Sequence, residues 1–191
     1  QFIPTQVLEN FYKSFLNLLF EDQEIGLIIK SKKPIVIDTL KTIKNDLEKA
    51  KTTGRCYVIE NSFQTIPINY SLIVDFSIAI GTYFSSALME CISFGAKGIF
   101  YDYPNLKFIE SDLYKWGENK ILFSSLKKII SSLKKYKNDP NCMQELGNWK
   151  KHVHKIEPFR DGRGGERIGT YIKYLLDSYR KGSKRKIAIN Y

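Results

Sequence analysis

Cysteine and histidine are scarce in this chain, three of one and two of the other among 191 residues, and their placement removes whole classes of protein. Cys56, Cys91 and Cys142 are widely spaced with no Cys-x-x-Cys pair, so neither a disulfide framework nor a zinc site is expected, and reduced thiols in a cytosolic protein are the natural reading. His152 and His154 stand two apart, on opposite faces of a strand or about 200° apart on a helix. They have no carboxylate or cysteine partner at ligand spacing, so neither a metal nor a cofactor is expected. Long apolar runs are missing too. Asp75 interrupts the longest candidate, and nothing reaches the roughly 18 residues of a membrane span. The start, Gln1-Phe2-Ile3-Pro4, lacks the basic residues that precede a signal peptide's apolar core, and Gln1 in the place of methionine leads us to expect a fragment or excised domain. Internal repeats and low-complexity linkers are absent, which favours a single domain over residues 1–191.

What is present is a soluble-type composition, 43% hydrophobic, enough for one good core at this length. Apolar segments alternate between two periods. Val7, Phe11, Phe15, Leu18 and Leu19 are helically spaced from Thr5, a plausible cap, to Phe20. Ile25 to Lys30 reads as a buried strand. Asp38 is placed to cap a helix reaching about Thr53, with Leu40, Ile43, Leu47 and Ala50 inward. A strand follows at Arg55 to Glu60, then a loop and a short helix around Ile68 to Leu72. Next come a strand from Val74, a helix at Ser85 and a strand at Ile99. A connecting region from Pro104 to Asn119 leads to a short strand at Lys120 to Phe123 and a lysine-rich helix to Tyr136. Asp161 is placed to cap a last helix running to about Lys181, with Ile168, Tyr171, Ile172 and Leu175 apolar. Such alternation predicts an α/β fold, a Rossmann-like, doubly wound parallel sheet with helices on both faces.

The net charge of +10 raises the question of nucleic acid. No helix-turn-helix or RNA-binding aromatic motif accompanies it. Between Phe123 and Tyr136 the apolar positions Leu126, Ile129, Ile130 and Leu133 put Lys127, Lys128, Lys134, Lys135 and Lys137 on the outer face. No nucleic-acid partner is expected. A basic surface does suit contact with an anionic membrane or attraction of polyanionic donors.

The most informative stretch runs from Val74 to Glu90. A buried strand breaks at Gly81-Thr82-Tyr83 and restarts as a helix opened by Ser85 and Ser86, where N–H groups and the dipole favour phosphate. With Ser86 as the N-cap, Met89 takes the third helical position, so Glu90 is not spent in a capping box and is available for a ligand's hydroxyls. Ordinary capping and dipole complementation use the same residues, and that alternative stays open. Gly95 then stops the helix before the strand ending in Tyr101-Asp102. Strand, phosphate-binding turn, helix and strand form half of a doubly wound nucleotide-binding fold.

The string Phe84-Ser85-Ser86-x-x-x-Glu90-x-x-x-x-Gly95-x-x-x-x-x-Tyr101-Asp102 resembles the donor-binding half of GT-B glycosyltransferases, especially bacterial enzymes of surface-polysaccharide and capsule assembly. A second patch, Glu157-Pro158-Phe159-Arg160-Asp161-Gly162-Arg163-Gly164-Gly165-Glu166-Arg167-Ile168-Gly169-Thr170-Tyr171-Ile172, resembles the C-terminal segment of surface-carbohydrate biosynthesis proteins. Together they span roughly residues 70 to 180. The resemblance implies one lobe of a GT-B fold that binds a nucleotide-sugar donor for transfer to a carbohydrate or lipid-linked acceptor. It also implies a separate N-terminal lobe holding that acceptor, and a cytoplasmic location, peripheral to the inner face of the membrane. No catalytic residue is assigned, and the isolated chain is expected to bind donor without turning it over. Two other readings remain. Polyol-phosphate transferases with CDP-activated donors also place a serine pair before a helix, and a non-enzymatic basic module for nucleic acid or membrane is favoured by charge alone.

Further site candidates follow from strand ends. Lys30 leaves its strand at the carboxyl edge and is placed either to reach a donor phosphate or to stand as an exposed turn lysine. Related transferases carry a lysine or a histidine-proline motif there, whereas this chain has Lys-Ser-Lys-Lys-Pro. Glu60 and Asn61 are placed either to read the base or as an ordinary polar pair in a loop, and Asp102 ends the strand at Ile99. Arg160, Asp161 and Arg163 flank the glycine-rich start of the last helix, where guanidinium groups can hold an anion or Asp161 can simply cap.

Overall fold

Proline 4 sets the start of the first helix. In the computed structural model, which describes residues 3–31, 37–59, 78–82, 85–103, 112–155 and 158–182, the Pro4 carbonyl accepts from Val7 N at 3.0 Å. Pro4 is the N-cap of α1 (Thr5–Glu21) and no side chain caps it. Thr5 is therefore the first helical residue and not the expected cap. Contacts divide the chain into two compact units, residues 1–150 and 151–191.

In the first unit α1 is buried along two sides. Leu16 and Leu19 enter one apolar cluster with Ile29, Leu40, Ile43, Leu47, Ala50 and Cys56. Val7, Phe11, Phe15 and Leu18 enter another with Ile99, Tyr101, Phe123, Ile129 and Leu146. Its helical period thus serves both clusters at once.

The first cluster covers a parallel pair, β1 (Leu27–Lys30) and β2 (Cys56–Ile59), with Leu27 opposite Cys56 and Lys30 opposite Ile59. Between them Ile37 and Asp38 are themselves helical, and α2 (Lys44–Thr52) begins well after them, behind a 3-10 turn at Lys41–Ile43, with Ile43 as its N-cap. The buried Glu9 of α1 explains part of this, since its carboxylate accepts from Thr42 N at 3.2 Å. Arg55 locks the return into β1. One of its terminal nitrogens donates to the carbonyls of Leu19, Asp22 and Ile25 at 2.9, 2.9 and 2.8 Å, satisfying groups that a helix end leaves open.

The second sheet is also parallel, in the order β3 (Ile78–Thr82), β4 (Lys97–Tyr101) and β5 (Leu122–Phe123). Its crossovers carry α3 (Ser86–Ser93) and α4 (Asp112–Gly117). The α4 helix lies inside the stretch read from sequence as a plain connection. The expected start of β3 at Val74 lies outside the described residues, as does the short helix near Ile68. β4 is buried on both faces. Ile99 and Tyr101 meet α1 and α5 (Leu126–Asn138). On the other face, a Cβ at Gly98 would come within 2.5 Å of Ile92 in α3, and the Trp149 indole donates to the Gly98 carbonyl at 2.9 Å. Burial on both faces is the usual state of a parallel sheet.

The lysine-rich α5 keeps Lys127, Lys128, Lys134, Lys135 and Lys137 exposed while Ile129 is fully buried. Lys134 pairs with Glu21, and Lys137 with Glu24, each at 2.7 Å, so part of the basic charge serves the end of α1. The second unit carries α6 (Gly164–Arg180), whose N-cap is Arg163. Asp161, expected as that cap, lies two residues earlier. Arg160 and Gly162 both have positive φ, 49° and 70°, and this twisted entry delays the helix.

Candidate functional site

The parallel register sets the carboxyl edge of the second sheet. Thr82 lies opposite Tyr101, so the chain leaving β3 and the chain leaving β4 emerge side by side. Gly81 allows the turn into α3 to stay tight. A Cβ there would sit 3.0 Å from Leu88 Cδ2 and 3.2 Å from Ser85 Oγ. Thr82 is half-buried at the strand end. Tyr83 lies outside the described residues, as does Glu60.

Ser85, not Ser86, is the N-cap of α3. Its backbone is extended and its Oγ accepts from Leu88 N at 3.3 Å. Its carbonyl accepts from Leu88 N and Met89 N, each at 3.1 Å. The physical reason is packing: Leu88 and Ile92 are the buried residues of α3, and this register turns both toward the sheet. Ser86 is then the first helical residue and is exposed, and Glu90, one turn on, is exposed as well. Positions four apart share one strip of a helix. The structure therefore places Ser86 and Glu90 together on the solvent side, while Ser85 is used by the helix itself.

Lys30 ends β1, half-buried, followed by the buried Ser31. Its charge reaches α3. Burial raises the Cys91 thiol above its ordinary value and Glu90 adds to this, while Lys30 opposes them. Lys30 thus lies within electrostatic range of Cys91 in α3.

Asp102 follows β4, only 4% exposed, with its N–H donating to the Phe123 carbonyl at 2.8 Å. Its carboxylate accepts from the hydroxyl of Tyr114 in α4. Burial, and then this bond, hold the Tyr114 phenol well above its usual range. Tyr114 escaped the sequence reading because α4 itself did. No motif marks it, and only the fold brings it to Asp102. A carboxylate so enclosed positions the strand end.

The remaining candidates belong to the second unit. Asp161 accepts from Arg163 N at 3.0 Å and from the Arg167 guanidinium, which hold its carboxyl low, at about 2. Arg167 also lies 3.7 Å over the Phe159 ring. Arg163 is bound to Glu166 at 2.8 Å. Arg160 precedes them with its left-handed backbone. Asp161, Arg163 and Arg167 are thus engaged in local ion pairs.

Among the described residues no group of three His, Cys, Asp or Glu side chains gathers as metal ligands would, and no helix is long and apolar enough to cross a membrane. What these elements define is an α/β protein of parallel-strand sheets and helices. No family model, curated protein or solved structure matches the chain.

Proposed function

We propose that this chain is the donor-binding part of a glycosyltransferase, a Rossmann-like lobe of GT-B type that takes a nucleotide-sugar and serves the assembly of a cell-surface polysaccharide. The observation that supports it is the exposed strip of Ser86 and Glu90 at the start of α3, on the carboxyl side of β3. Open-sheet α/β proteins bind nucleotides at that edge. In this reading the phosphate sits over the first-turn N–H groups of α3, Ser86 adds a hydroxyl, and Glu90 accepts from the ribose. Gly81, Thr82 and the Ser85 cap shape the turn. Cleavage of the sugar–phosphate bond leaves negative charge on the departing nucleotide, which the helix dipole and Lys30 stabilise. The acceptor, carbohydrate or lipid-linked, is held elsewhere by a second lobe, and the chain works at the inner face of a membrane. No metal enters the scheme.

Calorimetric titration with CMP, CDP, UDP and GDP tests it. Saturable binding of one of these, weakened in Glu90→Gln while inorganic phosphate binding stays unchanged, is the expected result. Binding of none of the four refutes it.

A further inference from the structure

We propose that α6 is an interfacial helix that lies flat on an anionic membrane surface with its apolar stripe toward the lipid. The inference rests on the peripheral location in the proposed function, and is independent of how nucleotide binds.

Charge is distributed unevenly along this chain. Residues 151–191 hold eleven Lys and Arg against four Asp and Glu, a net +7 of the chain's +10. Within that unit α6 leaves large apolar side chains in water: Ile168 is 63% exposed, Ile172 50%, Leu176 52% and Tyr179 48%. None of its residues is buried. At 3.6 residues per turn, Ile168, Tyr171, Ile172, Leu175, Leu176 and Tyr179 share one arc. Arg167 borders that arc on one side, Arg180 and Lys173 on the other, while Lys181 caps the helix end away from it. Glu166 and Asp177 fall opposite it. The acids therefore face away from whatever the stripe meets, and the long basic side chains flank it.

That order fits a lipid interface in three respects. Apolar side chains enter the headgroup and acyl boundary to a depth of about 5–10 Å. Flanking Lys173 and Arg180 extend their charge to anionic headgroups while their stems lie along the apolar surface, whereas Arg167 is held by Asp161. Tyrosine rings, at Tyr171 and Tyr179, suit the boundary because they carry an apolar body and a polar tip. The 17 residues of α6 fall short of the about 20 needed to span a bilayer, so the helix lies in the plane. Lys184, Arg185 and Lys186 follow it in the sequence. A nucleic acid would use the same cations but would leave Ile168, Ile172 and Leu176 in water, so the stripe selects lipid.

Flotation of the full chain with phosphatidylglycerol–phosphatidylcholine vesicles, against phosphatidylcholine alone, decides the matter. The chain is expected to float only with the anionic vesicles and to be released by high salt. Ile172→Glu combined with Leu176→Glu should cut partitioning at least tenfold, as should Lys173→Glu with Arg180→Glu. All four positions are exposed, and circular dichroism checks that the variants fold. Tyr171→Trp should shift its fluorescence to the blue on anionic vesicles. No flotation of the folded chain, or flotation undiminished in the Ile172→Glu, Leu176→Glu variant, overturns the proposal. So does oligonucleotide binding that survives in that variant and displaces the vesicles. Nucleotide titration of the same proteins reads the donor site separately: lost flotation with intact nucleotide binding removes the α6 assignment alone.

Discussion

Two adjacent serines at the start of α3 have different tasks, and replacing them one at a time separates folding from binding. Ser85 caps the helix, with Oγ accepting from Leu88 N at 3.3 Å. Ser85→Ala removes that acceptor beside a half-buried donor, and such caps are worth about 0.5–2 kcal/mol. The bond is long, which places the loss near about 1 kcal/mol, or a fall in Tm of roughly 2–4 °C for a chain of this size. Ser86 is exposed at the first helical position, where its hydroxyl has no capping task. Ser86→Ala should leave Tm unchanged, or raise it slightly through alanine's better helix propensity. Binding runs the other way. If Ser86 donates to a nucleotide phosphate, its loss should weaken binding by about 1–3 kcal/mol, the scale of a hydrogen bond to a charged group. Thermal unfolding by circular dichroism and calorimetric titration supply the two readings. Equal Tm values for Ser85→Ala and the parent would show that the cap does not hold the helix, and unchanged affinity in Ser86→Ala would falsify the phosphate assignment.

Three further changes probe the frame behind the site. Arg55→Met removes the donor shared by Leu19, Asp22 and Ile25 and should lower stability by about 2–4 kcal/mol in urea unfolding, since bonds to a charged group carry about 1.5–3 kcal/mol each and water replaces part of the loss; a change below about 0.5 kcal/mol refutes the locking role. Gly98→Ala forces a Cβ to within 2.5 Å of the fully buried Ile92 and should cost about 1–3 kcal/mol by overpacking, which Ile92→Val in the same chain should partly relieve. Asp161 titrates at about 2 against an ordinary 3.8, chiefly through its bond to Arg167. A lowered pKa means the pairing is fully present above about pH 4 and is lost as pH falls through about 2; NMR titration of the carboxyl should give that midpoint, and Arg167→Ala should bring it back toward 3.8.

Much of the frame is legible in the sequence because burial follows period. Val7, Phe11, Phe15 and Leu18 mark α1, and Leu40, Ile43, Leu47 and Ala50 are buried as their spacing requires, although only Leu47 and Ala50 lie within α2. Caps were harder to place. Thr5, Asp38, Ser86 and Asp161 are all good capping types, yet Pro4, Ile43, Ser85 and Arg163 occupy those positions. Tertiary contacts choose among neighbours of similar propensity: Glu9 reaches the turn before α2, and Leu88 and Ile92 fix the register of α3. The Asp102–Tyr114 contact was not legible, because a six-residue helix shows little period and the two residues meet only through the β4–α4–β5 crossover. Nor does a helical apolar pattern say whether its stripe is covered, so the exposure of Ile168 and Ile172 in α6 is known from structure alone.

Backbone hydrogen exchange, measured by NMR with and without a saturating nucleotide from the CMP, CDP, UDP and GDP panel, locates any bound ligand residue by residue. A donor site at α3 requires slowed exchange at the first-turn amides of Ser86 and Ala87, since the Leu88 amide is already bound by Ser85, with β2 and α5 unchanged. Saturation of the protein without any change at those first-turn amides, or with protection confined to residues 158–182, would contradict the placement of the nucleotide at the tip of α3.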